Sequence, residues 1–470
     1  MRVNFSHATE QEFFTRQTNL RKAQGGQLKP IMLDTKGPEI RMGGLRVCKQ
    51  TGNRKAKITL VEGTEIRLTT DPACDGDSDE NRLFIGYEQL GQKLKDGALV
   101  LLDDGLVSLR VENVDAEGDV LCRVLNTSEI GERKGVNLPG IITDLPALSE
   151  KDKEDIRFGI EHDIDMVAAS FVRSSQGVEQ IRAHIADCHK RYSNESEAAQ
   201  PLVISKIETD EALDNLEEII QASDGIMIAR GDLGVEVPIQ EVATWQKMIT
   251  TLCLKHGRPV IVATQMLDSM QSNPRPTRAE VADVTTAVLD HADAVMLSGE
   301  SANGKYPDTS IAMQAAIVSH TEQWKKTTVD PSSRWIFNMA ERPDFLYTPT
   351  ASTVYDALKS HQDNPPDAIL LLDMDNGLTS KLVSALRFEA PIVVFSSSLK
   401  VCRQLALFRG VHPVLVEGNF PEAASDGRQH DPRAEWTRKL PQADDMIRRN
   451  EWKRIMFVDS EQVTFDGRGA

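Results

Sequence analysis

The sequence predicts an α/β protein built on a TIM (β/α)8-type barrel lacking its first strand-helix unit, with an inserted small β-barrel lid domain and a C-terminal α/β domain. Three observations carry this expectation. Short apolar strands alternate with amphipathic segments at Ile31 to Thr35 and again from Ile164 to Trp324. The charged and hydroxyl-bearing motifs of these units fall at the strands' C-terminal ends, where a parallel barrel gathers its reactive groups. Between the first unit and the rest, Gly43 to Thr143 has a different, β-alternating texture.

The elements read in order as follows. A strand end at Met1 to Asn4 leads to a helix start, because Thr9 and Glu12 have the spacing of a capping box. Ile31 to Thr35 is the first complete strand. Lys57 to Thr70 and Ala98 to Leu125 alternate with turn signals at Asp103-Asp104-Gly105 and Asp115-Ala116-Glu117-Gly118, as a small antiparallel module requires. Ser149 and Asp152 start another helix. Strands then end near Phe171, Lys206, Arg230, Thr264 and Ser298, each followed by an amphipathic helix; one of these helices, Asp210 to Ala222, joins the strands Leu202 to Ile204 and Ile226 to Ile228. Ile31 to Thr35 makes six units. After Trp324 the pattern stops, and Ser352 to Lys359, Ala368 to Asp373, Ser380 to Leu386 and Ile392 to Phe395 form a second α/β unit, interrupted by a polar stretch, Gly418 to Gln442, with the composition of an exposed mobile loop. The expected domains are 1–42 with 144–325 for the barrel, 43–143 for the lid and 350–470 for the C-terminal part.

Composition bounds the function. The 470 residues carry 54 Lys and Arg against 71 Asp and Glu, a formal charge of −17. This balance argues against a nucleic-acid or anionic-membrane surface. Cys48, Cys74, Cys122, Cys188, Cys253 and Cys402 are scattered without a CxxC pair, which suits a reducing cytoplasm better than a disulfide framework or a zinc ribbon. No apolar run approaches a membrane span.

The chemistry concentrates in Ile204-Ser205-Lys206-Ile207-Glu208 and Ala229-Arg230-Gly231-Asp232-Leu233-Gly234. Each run ends a buried strand in charged groups. Lys206, Glu208 and Asp232 therefore converge, and two carboxylates from adjacent strand ends can hold a hard cation such as Mg²⁺ while an ammonium stabilises anionic charge beside it. Either half alone reads equally as a strand-end salt bridge; both together favour the cation site.

At these residues the chain resembles the pyruvate kinase family. The likeness takes in Asn4-Phe5-Ser6-His7, Leu33-Asp34-Thr35-Lys36-Gly37-Pro38-Glu39-Ile40-Arg41, Lys134-Gly135-Val136-Asn137-Leu138-Pro139-Gly140, Ala263-Thr264-Gln265-Met266-Leu267, Pro274-Arg275-Pro276-Thr277-Arg278-Ala279-Glu280 and Met296-Leu297-Ser298-Gly299-Glu300. It is close from Arg2 to about Gln323 and looser beyond. The resemblance implies transfer of a phosphoryl group from phosphoenolpyruvate to ADP, with Mg²⁺ on Glu208 and Asp232. It implies Lys206 and Arg2 as charge-stabilising groups, and Gly231, Asp232 and Thr264 as the carboxylate site. Thr264, Ser298 and Glu300 become a proton relay to the enolate, and Ser170 and Arg173 line the substrate pocket. Arg41, Asn4, His7, Lys134 and the lid residue Asp104 lie on the nucleotide side, and Asn4, Ser6, Asp34 and Thr35 resemble a K⁺ site, with Glu39 where a lysine can replace that cation. ATP is the product nucleotide, and the assembly implied is a homotetramer.

Further expectations follow from the same likeness. Asp373 and Asp375 stand beside Thr379, Ser380 and Lys381 where sugar-bisphosphate-activated relatives carry a Ser/Thr-rich loop, so such an effector is expected to act weakly here. Met1 to His7 resembles the end of a second barrel strand, so the chain is expected to be an N-terminally incomplete form that gains activity on extension by about seventy residues. Two other readings compete: a Mg²⁺-dependent aldolase or lyase, which the phosphate-binding arginines and the lid disfavour, and a non-catalytic barrel that assembles with a complete paralogue.

Overall fold

The computed structural model describes residues 1–47, 57–192, 199–328, 343–361, 363–417, 436, 440–459 and 463–467. Cys48 and most of the Gly418 to Gln442 stretch lie outside them. Seven parallel strands form the central sheet: β1 (Arg2–Asn4), β2 (Met32–Asp34), β3 (Met166–Ala169), β4 (Leu202–Ile207), β5 (Gly225–Ala229), β6 (Val260–Ala263) and β7 (Ala294–Met296), hydrogen-bonded in that order with β1 and β7 at the two ends. The strand end at Met1 and the six units read from sequence supply all seven. Strands β2 to β6 are buried on both faces, as a parallel sheet covered by helices should be, while β7 is only half-buried. Leu33, Val167, Val203 and Ile226 pack outward against helices, and Met32, Met166, Ile204, Met227 and Ile261 pack inward, continuous with the core of the C-terminal domain. Burying a side chain such as Ile228 stabilises by ~1.5–3 kcal/mol, and Ile228→Ala would cost ~2–5 kcal/mol.

Three helices of the barrel matter for the site: α1 (Arg230–Glu236), α2 (Val242–Lys255) and α3 (Arg278–Leu289). The capping boxes at Thr9/Glu12 and Ser149/Asp152 are both formed, and Thr277/Glu280 adds a third at the start of α3. The single helix expected over Asp210 to Ala222 is two, Asp210–Asp214 and Leu216–Ala222. Asn215 separates them, with its side-chain amide donating to the Arg173 carbonyl at 2.9 Å.

An aspartate stands at the foot of every second barrel strand. Asp165 precedes β3, Asp224 precedes β5 and Asp293 precedes β7, and their carboxylates accept the amides of Ile31, Val203 and Val260 on the neighbouring strand at 2.7, 2.8 and 2.9 Å. Each satisfies a strand-start amide that the ladder leaves unpaired.

The inserted module pairs its strands in the order 136–137, 99–102, 107–114, 120–124, 65–69 and 82–84 around its own apolar cluster. The antiparallel expectation fails for the last pair, which is parallel because the chain crosses back through the turn Pro72–Cys74 before re-entering the sheet. The C-terminal sheet contains β8 (Ala368–Leu372), β9 (Ile392–Ser396), β10 (Val411–Leu415), β11 (Arg454–Val458) and β12 (Val463–Gly467) in the order β10-β9-β8-β11-β12, with only the last pair antiparallel. Its helices α4 (Leu378–Ala385) and α5 (Leu399–Leu405) carry or adjoin cations that meet the barrel floor. Lys400 and Arg403 of α5 bind Asp163 at 2.8 and 2.5 Å and approach Asp165 at 3.7 and 4.0 Å. Arg387, just past α4, pairs with Asp293, both side chains almost wholly buried. Among the described residues no helix is long and apolar enough to cross a membrane.

Candidate active site

The C-terminal ends of the barrel strands and the inserted module enclose a cavity of about 570 Å³. Lys206 on β4 projects into it from a buried position. Its ammonium donates to Ser170 Oγ at 2.8 Å and lies 2.8 Å from Glu208 Oε1 and 3.3 Å from Asp34 Oδ1. Burial alone would lower its pKa, but Asp34 and then Glu208 outweigh burial and hold it above the ordinary lysine value, so it is charged at any physiological pH. Arg2 Nε donates to Asp34 Oδ2 at 2.7 Å, which places a second cation on the same carboxylate.

Glu208 has two different oxygens. Oε2 accepts the Phe171 amide at 2.7 Å, whereas buried Oε1 has Lys206 close but off the hydrogen-bond direction, and no aligned donor. Asp232, on α1 beside Glu208, is pushed up to about 8 by burial first and by the Glu208 charge second, with Lys206 opposing. A buried carboxylate pair with one oxygen undirected and one group driven toward its neutral form is short of positive charge. Hard oxygen donors of this kind fit a divalent cation such as Mg²⁺.

Local backbone shape makes this possible. Gly37 has φ 75°, and a Cβ there would lie 2.8 Å from both the Phe171 ring and Ser170 Cβ, so only glycine lets the turn after β2 pass under the site. Ser170 Oγ donates to the Thr35 carbonyl at 2.6 Å and its amide to Thr35 Oγ1 at 3.1 Å, locking β2 to β3. Three of the four residues expected to hold the monovalent cation therefore already have protein partners: Asp34 and Thr35 beneath the cavity, and Asn4, whose Oδ1 accepts the Ser6 amide at 3.0 Å.

Arg2, Asn4, Ser6, His7, Arg41, Asp104, Lys134, Ser170, Lys206, Glu208 and Asp232 all line the cavity. Asp34 and Thr35 sit buried below it. Gly231, Thr264, Ser298 and Glu300 do not line it. The Gly231 amide donates to Thr264 Oγ1 at 2.8 Å. Glu300, 1% exposed, accepts the amides of Leu267 at 3.0 Å and Ser298 at 2.8 Å, so its carboxylate fixes two loops.

On the lid side, Arg41 pairs with Glu39 at 2.7 Å and Lys134 with Asp103 at 3.1 Å. Arg173 lines the cavity, but its guanidinium bonds Thr143 Oγ1 at 2.9 Å and the Leu145 carbonyl, fastening the segment where the chain leaves the lid. Sequence reasoning quoted Asn137 only as part of a motif and missed Glu236 and the pair they make. Asn137 Nδ2 donates to Glu236 Oε1 at 2.7 Å, which ties a lid strand to the helix carrying Asp232, and burial raises the Glu236 pKa. The pair is 99 residues apart in sequence, so no local pattern announces it.

In the C-terminal domain, Asp373 accepts the Gly377 amide at 2.6 Å and Asp375 the Thr379 amide at 3.0 Å. The start of α4 is thus capped by the chain's own carboxylates.

Two family models match this chain: pyruvate kinase, barrel domain, over residues 1–311, and pyruvate kinase, alpha/beta domain, over residues 352–450. Pyruvate kinase of Clostridium acetobutylicum is 40% identical over 418 residues, covering 88% of this chain and 83% of that protein. Pyruvate kinase 1 of Trypanosoma brucei brucei is 39% identical over 432 residues, 92% and 81% respectively, and human pyruvate kinase PKLR is 39% identical over 431 residues, 90% and 71%. A solved structure of a pyruvate kinase from Cryptosporidium parvum superposes with a TM-score of 0.85 at 31% identity, covering 99% of this chain and 90% of that one.

Proposed function

The chain belongs to the pyruvate kinase family and moves the phosphoryl group of phosphoenolpyruvate to ADP, giving pyruvate and ATP; we propose which of its residues do this. The family's need for a divalent metal and a monovalent cation extends to it. We assign Mg²⁺ to Glu208 and Asp232, and K⁺ to Asn4, Ser6, Asp34 and Thr35. The observation that carries the reading is the charge deficit at the heads of β2, β4 and β5, where, among the described residues, the ion pairs of the Asp34, Glu208 and Asp232 group are with Lys206 and Arg2 alone.

When bound, Mg²⁺ supplies positive charge to the phosphoryl and enolate oxygens. Lys206 holds a fixed ammonium against the moving phosphoryl group, its orientation set by Ser170 and Glu208. Arg2 adds a planar donor pair for phosphoryl oxygens. The family likeness puts the substrate carboxylate at Gly231, Asp232 and Thr264; the Gly231 amide and the Thr264 hydroxyl now bond each other and the Ala263 carbonyl beside the cavity, so receiving it requires both to turn toward the substrate. Thr264, Ser298 and Glu300 serve proton delivery to the enolate carbon, with Thr264 as the group nearest the substrate and Glu300 as the anchor of Ser298. Arg41, Asn4, His7, Lys134 and Asp104 take the nucleotide. The lid, tied down through Asn137 and Glu236, excludes water from the phosphoryl group. The capped start of α4 supports weak response to a phosphate-bearing effector. Charge and cysteine use support a cytoplasmic enzyme, and the family likeness a homotetramer.

The test is pyruvate release with and without ADP and Mg²⁺, in K⁺ and in tetramethylammonium salts at matched ionic strength. The expected outcome is release that needs ADP and Mg²⁺ and is faster in K⁺. ADP-independent release would favour a lyase, and equal rates in the two salts would remove the K⁺ assignment.

A further inference from the structure

The turn after β6 has a conformation that its residues resist. Thr264 has φ 70° and Gln265 φ 54°. Two consecutive left-handed non-glycine residues are rare, and a β-branched threonine there is a true outlier whose conformation the surroundings must impose. The surroundings are mostly one side chain, Arg230 of the Ala229-Arg230-Gly231-Asp232 motif. Its Nη2 donates to the Thr264 carbonyl at 2.6 Å and to Met266 Sδ at 2.9 Å, and its Nε to the Ala263 carbonyl at 3.2 Å. Its Nη1 is held by Asp283 Oδ1 on α3 at 2.7 Å and Gln246 Oε1 on α2 at 3.1 Å. The guanidinium thus engages the two carbonyls that enter the bend and the sulfur that follows it, and two helices fix it from behind. Its side chain is 12% exposed and does not line the cavity. With the bend so held, Thr264 Oγ1 donates to the Ala263 carbonyl at 2.6 Å and accepts the Gly231 amide at 2.8 Å, beside Asp232.

We propose that Arg230 is a positioning residue: it imposes the left-handed Thr264-Gln265 turn and thereby aims the Thr264 hydroxyl at the head of α1. Lysine cannot replace it, because a point ammonium has no planar fork to span Ala263, Thr264 and Met266 at once. The inference rests on the reading of Thr264 as a group that acts on substrate, and its test separates the two.

The experiment measures kcat and KM for pyruvate formation, together with exchange of the pyruvate methyl hydrogens into heavy water, for Thr264→Val, Arg230→Lys, Arg230→Met, the double variant Arg230→Met/Thr264→Val and the double variant Arg230→Met/Gln265→Gly. Melting curves follow each variant, and Arg230→Lys serves if Arg230→Met does not fold. Removing the clamp is expected to lower kcat and the exchange rate about tenfold, with KM for ADP unchanged. Arg230→Met/Thr264→Val should be no slower than Thr264→Val, since both changes remove one placed hydroxyl. Glycine at 265 adopts φ > 0 without strain, so Gln265→Gly should return about threefold or more of the loss. Losses that multiply in the double variant, or the absence of rescue by glycine, would overturn the clamp. Thr264→Val at full rate would instead refute the role of the hydroxyl; in that event an Arg230→Met loss rescued by Gln265→Gly upholds the clamp as holding the turn itself, and an unimpaired Arg230→Met refutes it too.

Discussion

The two ends of the barrel strands both bury ionic clusters, and they are built oppositely. At the C-terminal ends, three carboxylates, Asp34, Glu208 and Asp232, share two cations, Lys206 and Arg2. At the N-terminal ends each of the three carboxylates has at least one cation: Asp163 and Asp165 meet Lys400, Arg403 and Arg21, and Asp293 meets Arg387 while also accepting the Arg409 amide at 3.1 Å. Protonation follows burial at both ends: Lys400 and Arg403 hold the partly exposed Asp163 carboxyl below its ordinary pKa, burial keeps Asp165 above it despite the same two cations, and burial with the Glu208 charge drives Asp232 up to about 8. A balanced buried cluster holds pieces of chain together; an unbalanced one keeps a place for a charge from outside. Burial alone does not distinguish a structural ion pair from a reactive site, but the sum of charges does.

The largest expected effect is at the unbalanced end. With divalent ion present, Lys206→Met should reduce pyruvate formation by more than about a hundredfold, with circular-dichroism melting and metal binding retained. A folded variant within about tenfold of the parent, ~1.4 kcal/mol of barrier, would deny Lys206 its central place. The balanced end should respond in the other currency. Arg387→Met leaves Asp293 buried without its guanidinium and should cost about 3–5 kcal/mol of unfolding free energy, measured by denaturant titration, with kcat per folded molecule unchanged. A fall in kcat larger than the loss of folded protein would mean that the floor also tunes the site, and the contrast would fail.

A smaller effect sharpens the comparison through pH. The metal-free native protein keeps a proton on Asp232 up to about pH 8, while an unfolded aspartate releases it near pH ~4. This group's contribution to metal-free stability is therefore full below the unfolded pKa and is lost as pH rises through about 8. Divalent-ion binding needs the deprotonated form and strengthens over the same rise. The gain in melting temperature on adding Mg²⁺ should grow from about pH 6 to about pH 8 and then level, and Asp232→Asn should flatten it. A gain independent of pH in the parent protein would show that Asp232 is already ionised without metal.

Much of this was legible in the sequence, for a local reason. A strand end that turns from apolar to charged, as at Ile204 to Glu208, announces both an element boundary and a site. Capping boxes such as Thr9/Glu12 and the turn Asp103-Asp104-Gly105, whose two aspartates have φ 53° and 55°, are equally local. What escaped depends on pairs far apart in the chain. Asp165, Asp224 and Asp293 look like turn residues until the neighbouring strand brings its amide, and Arg230 looks like one more motif charge until Ala263, Gln246 and Asp283 surround it. Glu300 reads as a candidate acid from its motif, and only the fold shows that it also accepts the amides of Leu267 and Ser298.

The foot aspartates bear on strand alignment. Parallel strands have no hairpin turn to fix how they slide past each other, so alignment must come from elsewhere. Asp165, Asp224 and Asp293 fix it for β2 with β3, β4 with β5 and β6 with β7, and leave β3 with β4 and β5 with β6 without such a pin at the foot. Those two junctions are held at the opposite end, by Glu208 accepting the Phe171 amide and by Arg230 donating to the Ala263 and Thr264 carbonyls. The register of the sheet is thus completed by residues of the reactive end, so a substitution at Glu208 would unfasten two strands as well as remove a proposed metal ligand.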